Sequence, residues 1–167
     1  ALIADYLGNS IRAEAAYRKA YEQASTSLRV MQAFGNFLER NGRGAEAVKI
    51  YAAFVEGGDR NPLADEALAR ARRGGKPAPF ISIPGAGAAE ALFSLASAMT
   101  DEPSVDVALL YAQLALSMNA DRPVTLTLLG DIYVDTQRSE KAIEAYEQTP
   151  ANSVLRSNAE IEIAVNL

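Results

Sequence analysis

The chain contains neither cysteine nor histidine, and it also lacks tryptophan. Without cysteine, no disulfide and no zinc or iron–sulfur site built on thiolate ligands can form. Without histidine, there is no nucleophile–histidine pair, the commonest means of activating a serine or a cysteine. We therefore expect no metal, no cofactor and no catalytic residue. A protein without cysteine suits reducing and oxidising compartments alike, so the cytoplasm and the periplasm both stay open.

Long apolar runs and positive charge are also scarce. No apolar run approaches the roughly 20 residues that a membrane-spanning helix needs. The net charge of −5 divides unevenly, because residues 1–75 carry +2 and residues 76–167 carry −7. Nucleic-acid binding is not expected, since neutralising phosphate groups requires clustered lysine and arginine.

The sequence does contain an internal repeat of 34 residues. When the chain is compared with itself at that shift, small residues align with small residues and large apolar residues with large ones. Small side chains let two helices approach closely, so the pattern within each repeat predicts a pair of antiparallel helices. The aligned columns are Ala1, Gly35, Ala96, Gly130 and Ala164, then Ala13, Ala47, Ala108 and Ala142, then Tyr17, Tyr51, Ala112 and Tyr146.

This pattern resembles the tetratricopeptide repeat, and the best match is carried by Leu126, Leu129, Gly130, Tyr133, Ala142 and Tyr146. Two other repeats match with one departure each, since Ala112 replaces the aromatic of the second helix in one and Phe54 replaces a small residue in the other. The proline that usually closes the repeat is absent. The resemblance implies an all-α fold, a right-handed superhelical solenoid of antiparallel helix pairs with one irregular, interrupted repeat.

The register of the repeat predicts four parts. They are residues 1–61, N-terminal repeats of which the first is truncated; 62–88, a half repeat and a linker; 89–156, two repeats; and 157–167, the first helix of a truncated repeat. Because the chain starts and stops within helical patterns, we expect it to be a piece of a longer, multi-repeat protein.

The half repeat begins at Asn61-Pro62, a capping residue followed by a proline suited to the first helical turn, and its helix should reach about Arg73. Residues 76–87 replace the second helix, and their three prolines predict extended, non-helical chain. We expect the apolar residues of this segment to cover surface left bare by the missing helix, and the alternative is a hinge or a contact with a partner. These residues are Phe80, Ile81 and Ile83.

By resemblance to the family, side chains on the first helix of each repeat face a concave groove that holds a peptide or a partner helix. The groove-facing residues implied here are Arg29, Gln32, Asn36, Arg40, Phe93, Ser97, Asp101, Thr127, Asp131 and Asp135. Such a groove would be basic at one end and acidic at the other, where its aspartates favour a partner segment rich in lysine and arginine. The alternative is that these positions are merely solvated.

Catalysis by a carboxylate pair is the remaining enzymatic possibility, because Asp131 and Asp135 lie four residues apart on one helix face. Nothing apolar near them in the sequence suggests the raised pKa that an acid catalyst needs, so we expect two ordinary ionised acids. In the same way, Ser139 followed by Glu140 predicts a helix cap.

The leading hypothesis is therefore a non-enzymatic scaffold or adaptor that binds protein. Two alternatives stay open: a non-catalytic arm of a larger enzyme, such as a glycosyltransferase, or of a secretion component, and a solenoid that self-assembles into a homo-oligomer through its uncapped ends. The stretch Gly87–Phe93 after the interruption is similar to bacterial envelope-associated repeat proteins, which favours a bacterial origin and a periplasmic location.

Overall fold

The computed structural model describes residues 1–58, 61–100, 103–118 and 122–167, and the described chain is built from α-helices without a strand. This confirms the all-α prediction. The helices are α1 (Leu2–Tyr6), α2 (Ser10–Gln23), α3 (Leu28–Arg40), α4 (Gly44–Gly57), α5 (Pro62–Arg72), α6 (Pro84–Ala98), α7 (Val105–Ser117), α8 (Arg122–Asp135), α9 (Ser139–Glu147) and α10 (Arg156–Asn166).

The helices form two compact units, unit 1 (Ala1–Ile83) and unit 2 (Pro84–Leu167). Within each unit every helix packs against the next one along the chain, as the helices of a repeat protein do. The right-handed superhelix and the four-part division of the chain stay predictions. Among the described helices, none is at once long enough and apolar enough to cross a membrane.

The small and aromatic columns of the repeat meet inside the helix pairs. A β-carbon added at Gly35 would clash with the ring of Tyr51, and one added at Gly130 would clash with the ring of Tyr146. Both tyrosines are fully buried, with 0% exposure. In the repeat between them, Ala96 and Ala112 occupy the two corresponding columns and are also fully buried. At Gly35 and Gly130 a glycine is thus needed, because only a residue without a β-carbon leaves room for the ring.

Side-chain caps define the starts of three helices in unit 1. The Asn61 side chain accepts a hydrogen bond from the Leu63 N–H at 3.0 Å, and Pro62 occupies the first turn of α5, so the predicted cap is confirmed. Asn9 and Ser27 cap α2 and α3 in the same way. The cap predicted at Ser139 is wrong, because Ser139 lies inside the first turn of α9 and makes no capping hydrogen bond.

The non-helical stretch between α5 and α6 is shorter than predicted. Helix α6 already begins at Pro84, so the predicted non-helical stretch 76–87 is wrong over its last four residues. A proline suits the first turn of a helix, where its missing N–H has no intrahelical partner in any case. Pro77 and Pro79, in contrast, lie in chain without regular secondary structure.

Two of the three apolar residues of this segment cover the core as predicted. Ile81 is only 8% exposed, and Phe80 packs partly buried against the apolar core of unit 1. Ile83 does not, since 46% of its surface is exposed. It is the last residue before α6, where the chain leaves the core of unit 1.

Candidate peptide-binding surfaces

The first candidate surface lies on α3 of unit 1, and the segment of the same chain that follows α5 contacts it. The Asn36 side-chain N–H donates a hydrogen bond to the Ala78 carbonyl oxygen at 2.8 Å, and Asn36 is only 8% exposed. The Arg40 guanidinium donates to the Asn36 amide oxygen at 2.9 Å and pairs with the Asp5 carboxylate. The Asn36 amide is therefore held from one side by charged partners and presents its donor to an extended chain on the other.

Arg29 and Gln32 extend this surface toward the start of α3. The Arg29 guanidinium lies over the ring of Phe80, 4.6 Å from its centre, and also donates a hydrogen bond to the Gln32 amide oxygen at 3.0 Å. A guanidinium at this distance from an aromatic face is in cation–π contact. All four residues predicted on α3 thus lie on one surface, and Asn36 and Arg29 each contact the segment that follows α5.

A buried carboxylate stabilises the other side of α3. Glu39 is 4% exposed and accepts hydrogen bonds from the Tyr51 hydroxyl at 2.7 Å and from the Arg70 guanidinium at 2.9 Å. Burial raises the pKa of Tyr51, and the hydrogen bond to the negative Glu39 raises it further. For Arg70, burial acts to lower the pKa, but the hydrogen bond and the charge of Glu39 outweigh it and the pKa is raised. Glu39 therefore connects α3 to Tyr51 on α4 and to Arg70 on α5 through hydrogen bonds.

The second candidate surface lies in unit 2, where the predicted residues on α6 differ in their surroundings. Phe93 is 8% exposed and packs in an apolar cluster with Ala89 and Ala115, so its ring offers a partner little surface. Ser97 is exposed on the same helix. Asp101 lies outside the described residues.

The predicted residues on α8 are more accessible. Asp131 and Asp135 are exposed, and Thr127 is half-buried and donates a hydrogen bond to the Pro123 carbonyl oxygen at 3.0 Å. The Asp131 carboxylate accepts a hydrogen bond from the buried Tyr146 hydroxyl at 2.7 Å. This bond is the counterpart in unit 2 of the Tyr51–Glu39 bond in unit 1.

The pKa of Asp131 is raised, contrary to our expectation of an ordinary ionised acid. Although the residue is exposed, surrounding protein displaces water from its carboxyl group, and this desolvation is the largest cause. The hydrogen bond from Tyr146 opposes the rise, while the charges of Glu162 and Asp135 add to it. The sequence missed this because the desolvation depends on how the helices pack, and because Glu162 lies on α10 and comes near Asp131 only through the packing of α10 against α9.

These three carboxylates form the acidic surface of unit 2, defined by Asp131, Asp135 and Glu162. In the part of the chain that the structure describes, none of them is paired with a lysine or arginine, and no cluster of potential ligands has the arrangement of a metal site. Sequence reasoning also missed Asp5, which pairs with Arg40, and the peptide segment around Ala78. A carboxylate or carbonyl 35 or 42 residues away leaves no periodic signal in the sequence.

The comparison with known families agrees with the helix-pair geometry of unit 2. The family model of the tetratricopeptide repeat matches residues 124–148, which cover most of α8 and all of α9. A search among curated proteins finds no match. Repeats of this family generally mediate protein–protein interaction and are typically non-catalytic. Residues 124–148 are therefore a tetratricopeptide repeat, and the chain contains this repeat within helices that pack in chain order.

Proposed function

We propose that the protein is a scaffold or adaptor module, and that the acidic surface of unit 2 binds a lysine- or arginine-rich segment of a partner protein. The observation that carries the proposal is the pair of exposed aspartates, Asp131 and Asp135, on the first helix of the matched repeat. Opposite charges steer a partner to its site and fix its register, even where each exposed pair adds little affinity.

The electrostatics of this surface support a basic partner. The raised pKa of Asp131 results in part from repulsion by Asp135 and Glu162, and a bound cationic side chain would relieve that repulsion. The net charge of −7 over residues 76–167 adds a long-range attraction for basic segments. Because the carboxylates are exposed, salt should weaken the interaction strongly.

The test removes the charges while keeping the shapes. A variant carrying Asp131→Asn and Asp135→Asn retains an oxygen that can accept the Tyr146 hydrogen bond, and its control, Glu140→Gln with Glu144→Gln, removes the same charge from exposed sites on α9. We expect a fluorescent lysine-rich peptide to bind the aspartate variant about three- to tenfold more weakly than the wild type. Binding that is equally weakened in the control would reduce the proposal to a general effect of net charge.

A second candidate is self-association through exposed apolar side chains near the two ends of the chain. Ile11 on α2 is 87% exposed, and Val165 on α10 is 74% exposed. Large exposed apolar residues of this kind favour contact between protein surfaces. We expect sedimentation velocity to show concentration-dependent association that Ile11→Lys or Val165→Lys abolishes, and a sedimentation coefficient independent of concentration would exclude it.

A further inference from the structure

In unit 1, the segment Lys76–Ile83 lies against the very helix face that the repeat pattern assigns to partner binding. The segment makes three kinds of contact. The Ala78 carbonyl oxygen accepts a hydrogen bond from Asn36, the Phe80 ring lies under Arg29, and Ile81 is buried. Lys76, Ala78 and Pro79 are exposed, so the first part of the segment lies on the surface of the unit, while Phe80 and Ile81 anchor the second part against the core.

The protein side of this contact is fixed by groups outside the segment. The Asn36 amide is oriented by Arg40, and Arg40 is in turn held by Asp5, which also accepts a hydrogen bond from the buried Tyr17 hydroxyl at 3.1 Å. The Arg29 guanidinium is oriented by the hydrogen bond that it donates to the Gln32 amide oxygen. A donor and a cation that are positioned in this way form a preorganised site, which favours binding because little ordering remains to be done when a peptide arrives.

The segment itself has the features of an extended peptide ligand. Pro77 and Pro79 flank Ala78, which restricts the backbone to extended conformations before any contact is made. The anchored carbonyl belongs to Ala78, and the aromatic ring two residues later supplies the side-chain contact. Recognition of a proline-restricted chain through its backbone and a few side chains needs no regular secondary structure in the ligand.

We propose that this face of α3 is a peptide-recognition site that the chain's own segment occupies in cis, and that its external ligand is an extended partner segment of the form proline–small residue–proline–aromatic. The partner competes with Lys76–Ile83 for Asn36 and Arg29. The cis segment raises the threshold for binding, because its attachment to α5 on one side and α6 on the other gives it a high effective concentration at the site. This site is separate from the acidic surface of unit 2, so it goes beyond the proposed function and does not depend on it.

The experiment frees the site and offers the segment back as a separate peptide. In one variant, residues 76–83 are replaced by an equally long glycine–serine linker, and a fluorescein-labelled peptide with the sequence of residues 76–83 is titrated by fluorescence anisotropy. We expect the peptide to bind this variant at least tenfold more tightly than the wild type, because the tethered competitor is gone. A helical variant, judged by circular dichroism, that binds no better than the wild type would overturn the proposal.

The role of Asn36 is tested in the same background. Asn36→Ala should weaken peptide binding about fivefold, the effect of one hydrogen bond. The matched control is Asn152→Ala, an asparagine that is exposed in unit 2. A labelled peptide in which alanine replaces the phenylalanine should bind more weakly as well. Unchanged affinity in the Asn36 variant would contradict the assignment of the site.

Should the linker replacement unfold the protein, Phe80→Ala in the otherwise intact chain keeps the test decisive. It removes the ring from Arg29 and leaves the tether in place, so the external peptide should bind severalfold more tightly than to the wild type. No gain in affinity would count against a displaceable cis segment. The variant with Asp131→Asn and Asp135→Asn should leave this binding unchanged, which separates failure of this site from failure of the acidic surface.

Discussion

Unit 1 and unit 2 use the same buried tyrosine of the repeat but give it different acceptors. In unit 1, Tyr51 donates to Glu39, twelve residues earlier, and Tyr17 donates to Asp5 at the same separation. In unit 2 the residue twelve positions before Tyr146 is Val134, which cannot accept, and the hydroxyl bonds instead to Asp131. The change moves the acceptor from a buried position to an exposed one, where a partner can reach it.

The two units also differ in how the N-termini of their helices are capped. Three helices of unit 1 have a side-chain cap, whereas α7, α9 and α10 of unit 2 have none. Unit 1 also has a cluster in which Arg43 pairs with Glu14 and Glu46, which lowers the pKa of both carboxyl groups through hydrogen bonds to the guanidinium. Polar side chains thus organise much of unit 1 internally, while unit 2 leaves its acidic surface open to solvent.

The largest expected effect of a substitution is at Glu39. Glu39→Ala would leave the Tyr51 hydroxyl buried without its acceptor and deprive Arg70 of its main partner, so we expect the free energy of unfolding to fall by about 3 kcal/mol. Asp131→Ala in unit 2 should cost only about 1 kcal/mol, because it removes one hydrogen bond, the one from the Tyr146 hydroxyl, at a residue that is exposed. Urea unfolding followed by circular dichroism measures both, and equal losses would show that burial does not distinguish the two acceptors.

Both units should respond alike to a β-carbon at the tyrosine-facing glycine. Alanine is the better helix former, yet Gly35→Ala and Gly130→Ala each force contact with a buried ring, and we expect each to cost about 2 kcal/mol. Gly44→Ala is the matched control, since a β-carbon there meets no atom within 4 Å. The same unfolding assay applies. The double variant Gly35→Ala with Tyr51→Ala should lose less free energy of unfolding than the two single variants lose together. The reason is that the clash with the ring is gone.

A smaller effect is expected at the helix caps. Asn61→Ala removes the acceptor of the Leu63 N–H and should lower the free energy of unfolding by about 1 kcal/mol. Ser139→Ala should leave it unchanged, since the Ser139 side chain makes no capping hydrogen bond. Thermal melts of the two variants, scanned side by side with the wild type, provide the measurement. A cost at Ser139 comparable to that at Asn61 would mean that α9 is capped after all.

The smallest effect is a dependence on pH that has opposite signs in the two units. Because the folded-state pKa of Asp131 is raised, its protonated form is favoured by folding, and its contribution to stability is lost as pH rises through that pKa. Relative to the wild type, Asp131→Asn should therefore be most favourable at pH 7, and its advantage should shrink as pH falls toward 4. A difference that stays constant over this range would contradict the raised pKa.

The carboxyl groups beside Arg43 should behave in the opposite way. Their pKa values are lowered in the fold, so the stability that they add is present above the pKa of a glutamate in the unfolded chain and is lost as pH falls through the folded values. Both side chains are partly open to solvent, which keeps the effect small. Comparing Glu14→Gln with the wild type between pH 3 and pH 6 in the same unfolding assay measures it, and the expected deficit of the variant should disappear at the acidic end.

Periodicity and capping residues in the sequence predicted the helix pairs and the columns of small and large residues that the fold uses. The 34-residue register aligned Gly130 and Tyr146 with their counterparts in the other repeats, and the asparagine before Pro62 marked the start of α5, because helix periodicity and capping depend on residues close together in the chain. It also indicated Asp131 and Asp135 as neighbours on one face, since residues four apart on a helix always are.

Contacts between residues far apart in the chain follow from the folded structure and not from any local pattern. Asn36 and Ala78 are 42 residues apart, and Arg40 and Asp5 are 35 apart, so no local pattern could show that the segment after α5 returns to the face of α3. The same holds for Glu162, which reaches the surroundings of Asp131 through the packing of α10 on α9. Proline explains why residues near 77 and 79 are not helical, but the place where such a chain comes to rest depends on the donors and apolar surface that the folded helices present to it.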